Sequence, residues 1–192
     1  MNMDIKKTAN LLINFTIKRL SEVFGIIVFI TGTLLLLALL TYSPDDPNFI
    51  FPNNTEIKNI LGFQGSFVSD LFFQSLGLIS YMFSFTLIVT GINIFRLKEF
   101  FLIIENIFFT IIYSSFGSLF LTHFYSNAFT LYINGNGGFI GNYLNQTFLK
   151  SVIFINEQIF YYILIILTFI FFLISINFHP KKVYQAIKEL IK

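Results

Sequence analysis

The sequence has no cysteine and no tryptophan, only two histidines and four prolines, and 11% charged residues in a chain of 192. Without cysteine there is no disulfide, no thiolate nucleophile and no thiolate-bound metal. The histidines, His123 and His179, are far apart, and His123 reads as an interfacial residue rather than a metal ligand. A soluble domain carries about 25% charge, so an ordinary water-soluble fold is excluded. With no tryptophan, interfacial anchoring falls to tyrosine and phenylalanine.

What is present is apolar. Hydrophobic residues make up 55% of the chain, 28 of them phenylalanine, and mean hydropathy is +0.76. Four uncharged runs stand out, at 23–42, 71–95, 106–125 and 158–178. Each approaches the roughly 20 residues that cross a bilayer. In lipid each must satisfy its own backbone, so all four are predicted helices. The first run is too long for a signal-peptide core and is followed by no small-residue cleavage site, so it reads as a retained anchor. The expected domain division is 1–22, an N-terminal cytoplasmic segment; 23–179, the membrane domain; and 180–192, the start of a cytoplasmic linker.

Ten of the twelve basic residues precede the first run, lie between the second and third, or follow the fourth; only Lys58 and Lys150 fall in the other loops. The positive-inside rule then places both termini and the middle loop in the cytoplasm. The N-terminal stretch, with Leu11, Leu12, Phe15 and Leu20 interleaved with Asn14, Lys18 and Arg19, reads either as a helix lying on the membrane surface or as a continuation of the first span.

The first span ends in Tyr42-Ser43-Pro44-Asp45-Asp46-Pro47. Proline disfavours helix in the residue before it and donates no N–H, so the helix must stop there. The two acids read as turn formers. In the outer loops, Gly62-Phe63-Gln64-Gly65 resembles Gly138-Phe139-Ile140-Gly141, and at the same offset Phe72 matches Phe148 and Ser75 matches Ser151. Both segments show apolar residues at helical spacing. The expected fold is therefore an all-α membrane protein of two tandem hairpins, each with a short interfacial helix in its outer loop.

Candidate chemistry is sparse. The run Gly135 to Gly141 lacks the Lys-Ser or Lys-Thr of a phosphate-binding loop. Glu22, Asp70, Glu105, His123 and Glu157 all fall at span ends, not at span centres, where transport paths place them. Asp70 and Glu105 are expected to cap the second and third spans. Small residues suggest close helix packing: Gly25 and Gly32 in the first span; Gly77, Ser84 and Gly91 every seven residues in the second; Ser114 and Ser118 in the third. The fourth span has no glycine and is expected to face lipid.

The order of these features resembles the N-terminal four-span membrane domain of the FtsK/SpoIIIE DNA translocases. The resemblance rests on Tyr42, Ser43, Pro44, Asp46 and Pro47, then Asn59, Gly62, Gly65 and Asp70, and finally Gly138 and Gly141, and it covers almost the whole chain. It departs at Asn156-Glu157-Gln158, where such domains often have glycines, and in the missing tryptophan. It implies a non-catalytic anchor and assembly domain in the bacterial inner membrane at the division septum. It also implies a homo-oligomer, a hexamer by resemblance, in contact with other septal membrane proteins. No cofactor or metal is expected in this segment; ATP, Mg and DNA would be handled by a downstream motor. The competing readings are a small transporter or channel and a stand-alone division-site scaffold.

Overall fold

The computed structural model describes residues 2–47, 56–126 and 134–178, with side chains from Lys7 onward. Its seven helices are α1 (Asn2–Leu40), α2 (Gly62–Leu76), α3 (Ser80–Leu97), α4 (Leu102–Phe124), α5 (Gly138–Asn145), α6 (Phe148–Ile155) and α7 (Glu157–Ser175). Four stretches are long and apolar enough to cross a membrane: Lys7–Leu40, Gly62–Leu97, Leu102–Phe124 and Glu157–Ser175. Among the described residues there is no strand, so the chain is an all-α membrane domain.

It is built as two hairpins. α1 packs chiefly on α3, and α4 chiefly on α7. The first contact is a glycine contact. A Cβ on Gly25 would lie 2.8 Å from the Gly91 carbonyl oxygen, and a Cβ on Gly91 would lie 2.7 Å from the Gly25 carbonyl oxygen. Two α-helical turns further along, Gly32 would place a Cβ 2.7 Å from the Ile88 amide nitrogen. The second contact is aromatic: Phe109 and Phe116 both stack on Phe171, and Tyr113 meets Phe172 edge-on. Lipid offers no hydrophobic drive for helix pairing, so close backbone approach holds one hairpin and ring packing the other. Each hairpin has its own apolar cluster, around Leu35, Leu39 and Phe73 in the first and around Leu119, Ile153 and Leu164 in the second.

Several boundaries differ from expectation. Of the two readings of the N-terminal stretch the structure has the continuation of the first span, with no break at 22: α1 runs unbroken from Asn2 to Leu40. The second span, expected as one run over 71–95, is interrupted by a 3-10 turn at Gly77–Ile79. Gly77 has φ +62°, which no α-helical interior accommodates. It therefore leaves the expected packing seam, while Ser84 is buried beside it with its hydroxyl on the Tyr81 carbonyl (2.8 Å) and Gly91 faces α1. The proposed linker start, 180–192, lies outside the described residues.

The two Gly-x-x-Gly segments begin alike. Gly62 and Gly138 have φ +67° and +66°, and each donates its N–H to the carbonyl three residues back, Asn59 and Gly135. Gly65 and Gly141 are buried on the packed faces. Opposite them, Phe63 stacks with Phe67 at 6.5 Å, and Phe139 with Tyr143 at 6.2 Å. The segments then diverge. α2 continues for 15 residues, whereas α5 ends after 8 and α6 restarts from Thr147, whose hydroxyl caps the Leu149 amide. Asn156 is the N-cap of α7, its side chain accepting from the Ile159 amide at 3.2 Å.

Candidate functional site: the hook clamp

The proline hook does more than turn. The Asp46 N–H donates to the Ser43 carbonyl (3.2 Å), closing the turn. Its carboxylate then reaches across the loop: Oδ1 accepts from the Lys58 amide and Oδ2 from the Asn59 amide, both at 2.8 Å. Asp46 is 2% exposed. A buried carboxylate costs several kcal/mol unless paired, and here two backbone donors hold it. Asp45 stays at the surface, paired with Lys58 at 2.9 Å. That hydrogen bond, with the charge behind it, raises the Lys58 pKa above its ordinary value.

Asn59 passes the restraint on to the spans. Its Nδ2 donates to the Ala38 carbonyl at 2.9 Å, satisfying one of the carbonyls a helix C-terminus leaves open. Its Oδ1 accepts from the Leu61 amide at 3.1 Å. Gly65 lies against Asn59 so closely that a Cβ there would fall on its Oδ1. The Ser66 hydroxyl donates to the Pro47 carbonyl (2.9 Å), and the Tyr42 hydroxyl to Asp70 Oδ1 (3.2 Å). Tyr42, Ser43, Pro44, Asp46, Pro47, Gly62, Gly65 and Asp70 thus meet at one end of the first hairpin. Asp70 is not the cap it was expected to be: it sits in the middle of α2, 7% exposed, between Tyr42 and Gln74. Glu105 does lie in the first turn of α4.

The segment before α5 closes onto the first hairpin at the Gly77 break. The Leu78 amide donates to the Asn136 carbonyl at 2.9 Å, and Asn134 Nδ2 donates to the Gln74 side-chain oxygen at 3.1 Å. Asn136 Nδ2 donates in turn to the Tyr125 carbonyl. The Ser118 hydroxyl donates to the Leu76 carbonyl at 3.1 Å, which ties α4 to the end of α2. Gly141 packs on the Ser118 backbone, and Ser114 is buried one turn away. His123 faces Asn145 across 2.9 Å and Glu157 across 3.9 Å, joining α4, α5 and α7.

Sequence reasoning missed a second polar cluster, at the opposite end. α7 terminates in a Schellman turn: the Phe178 amide donates to the Leu173 carbonyl and the Asn177 amide to the Ile174 carbonyl, with Asn177 at φ +52°. Asn177 Nδ2 donates to Asn106 Oδ1 (2.9 Å), Asn106 Nδ2 to Thr90 Oγ1 (2.8 Å), and Asn93 Nδ2 to the Ile176 carbonyl (3.3 Å). Nearby, the Thr86 hydroxyl meets those of Tyr113 (3.0 Å) and Ser175 (3.3 Å). The groups are neutral, and they cap a helix and join the hairpins. An asparagine inside an apolar run, Asn106, was the available signal. At the same end Glu22 bridges Arg19 (2.6 Å) and Lys98 (2.8 Å).

Two antiparallel hairpins, a hook-and-asparagine clamp over the first and a glycine-rich segment of the second docked on it define a class: a four-span membrane domain whose hairpins are joined, among the described residues, at the hook end. The comparison with known proteins makes this specific. The chain belongs to the family described as the 4TM region of DNA translocase FtsK/SpoIIIE, whose model matches residues 17–188. It is 38% identical over 69 residues to the DNA translocase FtsK of Caulobacter vibrioides, a stretch covering 36% of this chain and 8% of that protein. It is 29% identical over 73 residues to the DNA translocase FtsK of Rickettsia prowazekii, covering 38% of this chain and 10% of that protein. The matched stretch is thus a small part of the relatives' length. No solved structure matches the chain.

Proposed function

We propose that this chain is the membrane-anchoring and assembly domain of an FtsK-like DNA translocase acting in cell division and chromosome segregation. The family match over residues 17–188 carries this reading. The domain does no chemistry of its own. It holds a motor at the bacterial inner membrane, at the septum, beside other septal membrane proteins and further copies of itself, a hexamer by family resemblance. ATP, Mg and DNA belong to the motor, reached through a linker that begins at 180–192.

Both termini are assigned to the cytoplasm. Ten of twelve basic residues support that orientation, and so does the placement of Arg19, Glu22 and Lys98 together at one end of the bundle. The clamp then faces outward, where the hook held on Asn59 offers a fixed surface to partners.

The test is a fluorescent fusion of residues 1–192 in dividing cells, with the reading frame followed past Lys192. Septal enrichment and a downstream G-x-x-x-x-G-K-[ST] are the expected results. Uniform membrane distribution with no motor following would reject the reading.

A further inference from the structure

α1 is longer than the bundle. Glu22, bonded to Lys98 in the α3–α4 connection, marks where the bundle ends. About 20 residues, or roughly 30 Å of helix at 1.5 Å per residue, continue beyond it. In that extension Leu11, Leu12, Ile13, Phe15, Ile17 and Leu20 are each between 50% and 63% exposed. Standing in water, these turns would leave a large apolar surface uncovered.

The pattern indicates what covers it. Lys7, Asn10, Asn14 and Lys18 follow one another at three- and four-residue steps on a single face. At 100° per residue the apolar residues are spread over roughly two-thirds of the circumference, with Thr16 and Arg19 among them. A partner helix in a coiled coil would need a narrow seam; a wide apolar arc under a cationic face suits a lipid interface. Charge points the same way. Arg19 is occupied by Glu22 and lies over the Phe15 ring at 5.2 Å, while Lys7 and Lys18 stand on the polar face. Thr16 and Ser21 return their hydroxyls to the Leu12 and Ile17 carbonyls, both at 2.9 Å.

We infer that residues 7–20 form an anionic-lipid docking element, which lies against the leaflet at the basic end of the bundle with Lys7 and Lys18 on phospholipid phosphates. The inference rests on the span assignment and does not require a motor.

The chain has no cysteine, so Leu12→Cys supplies a unique site for an environment-sensitive fluorophore. The labelled full chain is reconstituted in phosphatidylglycerol or phosphatidylcholine vesicles and probed with an aqueous quencher. The label should be shielded in phosphatidylglycerol. Near an anionic surface each cation is worth about 1 kcal/mol, so Lys7→Gln and Lys18→Gln should each shift the balance toward exposure about fivefold, and together roughly 25-fold. A label open to quencher in both lipids overturns the inference. Equal shielding in phosphatidylcholine removes the anionic requirement and also overturns it. Shielding that disappears when labelled chains are diluted with unlabelled lipid would assign the face to a second copy instead.

Discussion

Gly77 and Gly138 meet backbone to backbone where the two hairpins join: a Cβ on Gly138 would lie 2.6 Å from the Gly77 amide nitrogen. Both have positive φ, +62° and +66°. An alanine at either site incurs left-handed strain and a backbone collision together. Each substitution is expected to cost about 2–4 kcal/mol, and the double variant less than the sum, because both collisions pry open the same junction. Thermal unfolding in detergent, followed by far-ultraviolet circular dichroism, measures this. Additive losses would show that the glycines act separately.

Gly62 provides the contrast. It shares the positive φ, at +67°, but nothing lies within 4 Å of its missing Cβ. Gly62→Ala should therefore cost only the backbone strain, about 1–2 kcal/mol. Gly65→Ala, which collides with Asn59, should cost more and should loosen the C-terminus of α1, seen as faster amide exchange near Leu40.

Asp46 accepts two amides with its two oxygens. Asparagine can accept only one and must point its NH2 at the other donor. Asp46→Asn is therefore expected to destabilise nearly as much as Asp46→Ala, by about 3 kcal/mol, since hydrogen bonds to charged groups contribute about 1.5–3 kcal/mol each. Asp45→Asn, at the exposed pair, should leave stability nearly unchanged. The same unfolding measurement separates the two acids.

The Lys58 pKa is raised by Asp45. A raised lysine stabilises the fold at pH below its unfolded value, and that contribution is lost as pH rises through its folded value. At neutral pH the pair is therefore intact. A nitrogen NMR titration of Lys58 Nζ should show a midpoint above the ordinary lysine value that falls back in Asp45→Asn. An unchanged midpoint in that variant would show that Asp45 is not the cause.

Asn106 bonds Thr90 and Asn177. Hydrogen bonds within membranes average about 0.6 kcal/mol, with a maximum near 1.7. Asn106→Leu should thus cost about 1 kcal/mol, well short of the Asp46 variants, and should fray the end of α7. Amide exchange at Asn177 and Phe178 reports it.

The span count was legible because lipid admits few solutions: an uncharged apolar run of sufficient length becomes a helix. The Gly62 and Gly138 turns were legible because a glycine repeated at one offset is a local backbone signal. Gly77 misled because its spacing to Ser84 and Gly91 suits a helix seam, and only its contact with the second outer loop reveals the positive φ. Asp46 and Asn59 are 13 residues apart, and Asn177 and Asn106 are 71 apart. Such pairings depend on how elements dock, which periodicity does not encode. The length of α1 was ambiguous because its polar residues thin out without a proline or glycine to stop the helix before Glu22.

α1 is fastened at both ends of the bundle, by the Asn59 amide at the Ala38 carbonyl and by Glu22 at Lys98. Between those fastenings lie about 24 Å of uninterrupted helix at 1.5 Å per residue. In mechanical terms it is a strut pinned top and bottom. A tug on the outer loop is delivered, as an axial push or a twist, to the connection between α3 and α4 on the far side of the bilayer, with no soft joint between to absorb it.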